Sequence, residues 1–233
     1  MLFRSRILSI DIEKQAEQLC QDCPQLKYQL ELLIPCLKEL PQILSGRKQS
    51  TEVIFAHSSM ERVEAIYKSH PSAEYFNLRV ADVVTAAVQQ SLPNRFPGEK
   101  INILEIGAGT GGTSIFLFQA LNTYSDYLRY IYTDISKRFL IYADETFCKQ
   151  YGFVETQLLN IEQTVTGQGF ESGTIDIVVA ANVLHATRNI SRTLHNVRTL
   201  LKKDGLLVLN ELTEVSPFLT MTRSEEHTSE LQS

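Results

Sequence analysis

No run of apolar residues in this 233-residue chain approaches the roughly 20 needed to cross a bilayer. A cationic excess is also missing: 22 Lys and Arg stand against 27 Asp and Glu, a formal charge of −5. That balance argues against a general nucleic-acid binder and leaves no polybasic patch for a membrane surface. Neither nucleic acid nor membrane is therefore an expected partner. Cysteine is scarce, at four residues (Cys20, Cys23, Cys36 and Cys148), which points to a reducing, cytoplasmic setting. Cys20 and Cys23 form a lone C-x-x-C, without a second pair or histidines at ligand spacing, so no metal site is expected. The N-terminal MLFRSRILSIDIEKQ lacks a long apolar segment and a small-residue cleavage site, so it does not read as a signal peptide. Internal repeats and low-complexity tracts are absent.

What is present is ordinary globular material, 43% hydrophobic and 21% charged, enough for one α/β domain with or without a helical appendage. The last residues, RSEEHTSELQS (223–233), have no apolar period. They resemble a sequencing-adaptor segment translated in frame, and are set aside from fold reasoning as a probe of nothing native. Residues 11–44 are helical in pattern, with Leu26, Leu30, Leu33, Leu37 and Leu40 at spacings of three and four. Pro24, Pro35 and Pro41 predict that this stretch is broken into short helices. A helix is expected around 60–69. A longer one follows Pro71, with Ser72 as its cap and Val80, Val83, Val84, Ala87 and Val88 on one side.

After the turn-rich PNRFPGEK (93–100) the pattern changes. Strands at 101–106, 129–133, 155–160, 175–181 and 206–211 alternate with helices at 111–122, 136–150 and 189–203. Such alternation predicts a parallel sheet covered by helices on both faces. Ser136 is placed to cap the second helix; Lys202 and Lys203 fall in the last turn of the third, and Asp204-Gly205 then turns the chain.

INILEIGAGTGGTS (101–114) carries the sharpest local signal: a strand, then Gly107, Gly109, Gly111 and Gly112, then a helix. Glycines let the backbone take positive φ and let a ligand lie against the chain itself. Gly107, Gly109 and Gly112 also fit G-x-G-x-x-G, which admits a nicotinamide-dependent dehydrogenase. Two features favour another ligand. Glu105 is ill placed beside a pyrophosphate but suits a cation, and about 100 mostly helical residues precede the strand. S-adenosylmethionine has a sulfonium and an ammonium and no phosphate. Asp134, ending YIYTD, lies 22 residues after Gly112, the distance at which an acid meets ribose hydroxyls.

LEIGAGTGGTS, YTDIS, AANVLHATRN and LLKKDGLLVLNELTE, in this order, resemble the C-methyltransferase domains of modular polyketide synthases. EVIFAHSSMERVEAIYKSHPSAEYFN (52–77) is similar to that family's helical lid. The resemblance covers roughly residues 25–222 and implies a class I, Rossmann-like parallel sheet. The expected organisation is a lid segment over 1–97, a cofactor-binding core over 98–222 that ends before the last two strands, and the tail 223–233. It implies S-adenosylmethionine as cofactor, held by Glu105, Gly107, Ala108, Gly109, Gly111, Asp134, Asn160, Ile161 and Asn182. Where the family reads Asp-Ile-Glu near the adenine, this chain has Asn160-Ile161-Glu162; an asparagine carbonyl can still accept from an adenine amine.

Ligands of open α/β sheets sit at the carboxyl ends of the strands. His185 lies just past the fourth strand and Glu211 ends the fifth. These positions match the family's catalytic dyad, in which the histidine removes a proton from the carbon between a ketone and a thioester. The resemblance therefore implies C-methylation of the α-carbon of a β-ketoacyl chain on an acyl carrier protein, with other polyketide synthase domains as partners. Tyr67 and Tyr75 are candidates for the acyl pocket, while His195 reads as surface and His57 and His70 have no assigned role. O- or N-methylation of a small natural product, and a non-catalytic scaffold module, are the alternatives.

Overall fold

The computed structural model describes residues 11–48, Val53 and 71–211, in two compact units, Met1–His70 with Glu214–Ser233, and Pro71–Thr213. The expected helix at 60–69, Tyr67, His57, His70 and the tail 223–233 lie outside the described residues.

In the first unit, α1 (Ile12–Asp22) is capped by Asp11, whose carboxylate accepts from the Lys14 amide at 3.1 Å. A short 3₁₀ turn leads to α2 (Lys27–Leu44). Pro35 and Pro41 sit inside α2, which differs from the expected short helices. Each proline removes one backbone donor, but Cys36, next to Pro35, is 1% exposed, and packing of this kind maintains a helix past a local breaker.

The second unit holds the sheet. It opens with α3 (Pro71–Ser91) and runs to Thr213. Ser72 falls within the first turn of α3. Val80, Val84 and Val88 are buried as expected, but Val83 is 48% exposed and Ala81 takes the inner position, because the buried stripe follows the i, i+4 row.

Five strands follow: β1 (Ile101–Ile106), β2 (Leu128–Asp134), β3 (Val154–Leu158), β4 (Ile175–Ala181) and β5 (Leu201–Asn210). All pair in parallel, in the order β3-β2-β1-β4-β5. The reversal beside β1 places the carboxyl ends of β1 and β4 together at the switch point of the sheet. Between the strands run α4 (Ser114–Leu121), α5 (Lys137–Ala143) and α6 (Ile190–Leu200). One face of the sheet packs under α3, α4 and α5 through Val84, Val88, Leu117, Phe118 and Leu140; the other packs under α6 through Val197 and Leu200.

Several boundaries differ from expectation. α5 gives way at Asp144 to a π-helical turn. Lys202, expected in the last turn of α6, belongs to β5, where its ammonium meets Asp176 at 2.9 Å. The Asp204-Gly205 segment lies within a register irregularity between β4 and β5, not in a turn between helix and strand. No described helix is long and apolar enough to cross a membrane.

Candidate active site

The glycine loop leaves β1 at the carboxyl edge of the sheet. Gly107 takes φ +59°, and a Cβ there would lie 2.3 Å from Val183 Cγ2, so no larger residue fits between the loop and the end of β4. Gly109 takes φ +60°, but a Cβ would meet nothing closer than the Gly107 carbonyl at 3.9 Å. Conformation, and not crowding, demands glycine at 109, and it leaves bare backbone facing open space.

The loop is tied to β2. The Ala108 amide donates to the Thr133 carbonyl at 2.9 Å. Asp134 Oδ2 accepts from the Gly109 amide at 3.0 Å, and Tyr132 Oη donates to the Gly109 carbonyl at 2.7 Å. Asp134 Oδ1 accepts from the Ser136 amide at 2.7 Å, so this acid, and not the Ser136 side chain, organises the start of α5. Burial pushes the Asp134 carboxyl up, against the amides of Ser136, Gly109 and Ile135, which favour its charge.

Glu105 lies beneath the loop and is 1% exposed. Its Oε2 accepts from Ser114 Oγ at 2.6 Å and Tyr130 Oη at 2.7 Å, so it braces α4 and β2 against β1. Burial raises its carboxyl to about 7 despite the two hydroxyls; the Asp134 charge adds to the rise.

β4 ends at Ala181, and Asn182 then takes φ 52°, the one non-glycine positive φ among the described residues. Asparagine tolerates that region better than most side chains. The Asn182 amide donates to the Asn210 carbonyl at 2.7 Å, pinning the bend to β5. Past the bend, the amides of Val183 and Leu184 donate to Glu211 Oε1 at 3.0 and 2.8 Å. Glu211 Oε2 meets His185 Nδ1 at 2.6 Å. Burial pushes the Glu211 carboxyl up, but the bonds from His185, Leu184 and Val183 outweigh it and hold the group below its ordinary value. An ionised carboxylate only accepts, so Nδ1 carries the shared proton and Nε2 is the basic nitrogen. The pair is partly open, with side chains 33% and 19% exposed.

Beside β2 and β3 a cavity of about 460 Å³ is lined by Ile135, Asn160, Glu162, Gln163, Arg188 and others. Asn160 Oδ1 accepts from the Glu162 amide at 3.0 Å. Ile161 does not face this cavity: it is 5% exposed and packs in the core under α6. Tyr75 is 57% exposed on α3, edge-on to Phe76 and under the Arg79 guanidinium. The structure thus brings Gly107, Ala108, Gly109 and Asp134 together on one side of the sheet edge, and Asn182, His185 and Glu211 together on the other. Sequence reasoning missed Tyr132, the two amides that hold Glu211, and Asn77, which bonds the loop from α3. An asparagine in mid-helix was the one available signal for the last.

Residues 104–207 match a family described as "Methyltransferase domain". Polyketide synthase PksR of Bacillus subtilis (strain 168) is 42% identical over 210 residues, 90% of this chain and 8% of that protein. The solved DszA carbon methyltransferase is 39% identical with a TM-score of 0.84, over 91% of this chain and 54% of that one. The trans-methyltransferase CalH, solved in complex with SAH, is 29% identical with a TM-score of 0.69, over 91% and 55%. The chain therefore spans under a tenth of that synthase and about half of each of these solved chains. It belongs to the class I S-adenosylmethionine-dependent methyltransferases, among the carbon-methyltransferase domains of polyketide synthases.

Proposed function

We propose that the chain methylates the α-carbon of a β-ketoacyl thioester carried on an acyl carrier protein, within a polyketide synthase and with S-adenosylmethionine as donor. The observation that carries this reading is the contact of His185 Nδ1 with Glu211 Oε2 at 2.6 Å, at the carboxyl edge of adjacent parallel strands.

The residues present fit the donor. Gly109 offers bare backbone, and the Asp134 carboxylate lies at the loop, which suits a cationic donor and opposes a pyrophosphate. The SAH complex of CalH supports the same choice. Gly107, Ala108, Gly109, Gly111 and Asp134 would hold the donor; Asn160, in the wall of the neighbouring cavity, would meet its adenine. Glu105 and Ile161, both buried, would support that site from behind, and Asn182 would border it through its backbone. When bound, S-adenosylmethionine supplies an electrophilic methyl on sulfur.

The chain's own residues supply the base. His185 Nε2 accepts the α-proton, and the positive charge that develops on the ring faces Glu211, as in other carboxylate-imidazole pairs. General-base help of this kind contributes about 10²–10⁴ in rate. The Val183 and Leu184 amides hold the second Glu211 oxygen, so the carboxylate cannot turn from the imidazole without losing two bonds. Tyr75 would line the acyl side.

The test is to supply a β-ketoacyl carrier protein with labelled donor and locate the methyl by mass spectrometry and NMR. Methyl on the α-carbon is the expected product. A methyl on oxygen or nitrogen, or no transfer, contradicts the proposal.

A further inference from the structure

The two halves of the glycine loop are held differently. The leading half is fixed to β2 by Thr133, Asp134 and Tyr132. The trailing half, Gly111 to Thr113, has no such tie. Its described side-chain partner is Asn77 of α3, which is 5% exposed. Asn77 Nδ2 donates to the Gly112 carbonyl at 3.3 Å, and Thr113 Oγ1 donates to Asn77 Oδ1 at 2.9 Å. Thr113 stands at the N-cap of α4 but makes no capping bond; its hydroxyl is turned to Asn77 instead. A helix start that forgoes its side-chain cap gives up stability, so the diverted hydroxyl marks a contact the fold retains at some expense. Asparagine is also a poor choice for the interior of a 21-residue helix on propensity alone. Both oddities are accounted for if the loop needs anchoring from the α3 side.

We infer that Asn77 is a positioning residue: its amide holds the trailing half of the glycine loop against α3 and so sets the affinity for the methyl donor. The identity of that donor rests on the proposed function; the tether does not.

Two measurements on the full chain test this separately. The first is amide hydrogen exchange without ligand, comparing wild type with Asn77→Ala. Residues 111–114 should exchange faster in the variant, with β1 and β4 unchanged. Unchanged exchange at 111–114, or faster exchange throughout the unit, overturns the tether. The second is calorimetric titration with S-adenosylmethionine. Asn77→Ala should bind about tenfold more weakly, with kcat at saturating donor nearly unchanged. Thr113→Val should weaken binding less, and Asn77→Ala with Thr113→Val no more than Asn77→Ala alone, because both remove one shared bond. Wild-type donor affinity in Asn77→Ala, or strictly additive losses in the double variant, overturns the positioning role. A wild type that binds no donor, while 111–114 still loosens in the variant, supports the tether and overturns the donor assignment.

Discussion

The sheet holds a paired carboxylate at each end of the β4–β5 ladder, and the two pairs are built to opposite purposes. At the amino end, Asp176 is 8% exposed and surrounded: Arg95 pairs with Oδ1, Lys202 lies 2.9 Å away, and the Asn102 amide donates to Oδ2 at 2.9 Å. Glu99 shares the same two cations, at 2.7 Å from Arg95 and 3.9 Å from Lys202. At the carboxyl end, Glu211 takes two backbone amides and one imidazole, and the imidazole edge reaches solvent. A guanidinium and an ammonium do not exchange protons near neutrality; an imidazole does. The first cluster closes the bottom of the sheet, and the second leaves a partly exposed imidazole at its top.

The contrast breaks most visibly at the histidine. His185→Ala should lower methyl transfer by about 10²–10⁴ while leaving donor affinity and thermal stability near wild type. Asp176→Ala should do the reverse. Removing the acid leaves Arg95 and Lys202 with Glu99 in place of two carboxylates and takes the acceptor from the Asn102 amide, and stability should fall by about 3 kcal/mol, read from denaturant unfolding, with turnover per folded molecule retained. Loss of turnover in folded Asp176→Ala protein would mean that the two ends are not separate in function.

Glu105 sharpens the comparison, since it is a buried carboxylate with hydroxyl partners and no cation. Its group is raised from 4.5 to about 7, so the folded domain keeps a proton that the unfolded chain has released over that range. Stability should therefore fall as pH rises from about 4.5 to about 7, by on the order of 3 kcal/mol at most, and then level off. Glu105→Gln, neutral throughout, should flatten that slope in thermal unfolding recorded against pH; an unchanged slope would assign it to other groups. The smallest expected effect is Glu211→Gln. The amide has one acceptor oxygen where the carboxylate serves the imidazole with one and the Val183 and Leu184 amides with the other, and it loses the charge; turnover should drop about tenfold, less than for His185→Ala. An equal or larger drop would make Glu211 more than an orienting partner.

Much of the fold is legible in the sequence because β1 and β4 are mostly apolar, broken only by Asn102 and Glu105 in β1 and Asp176 in β4, as parallel strands covered on both faces tend to be. Both match their expected limits. α6 is overestimated at its end because Lys202 looks like a helix-terminal cation, and only the fold reveals that Asp176 recruits it to β5. Pro35 and Pro41 mislead for a related reason: packing outweighs a local breaker. At the site, His185 and Glu211 are legible from strand-end position and resemblance. Glu105 stands out in the sequence as an acid suited to a cation, but its buried bracing role does not, because its partners Ser114 and Tyr130 lie 9 and 25 residues away, at no helical or strand period. Asn160 and Ile161 are adjacent in sequence, yet one lines a cavity and the other enters the core, as the bend after β3 sends them to different sides.

The central claim is that His185, held by Glu211, takes a proton from carbon. It is tested most directly by exchange of the α-protons of a β-ketoacyl thioester in deuterated buffer, with no methyl donor present, followed by NMR. Wild type should accelerate exchange above the buffer rate, and His185→Ala should return it to that rate. Exchange in His185→Ala as fast as in wild type would contradict the account, because another group would then be the base.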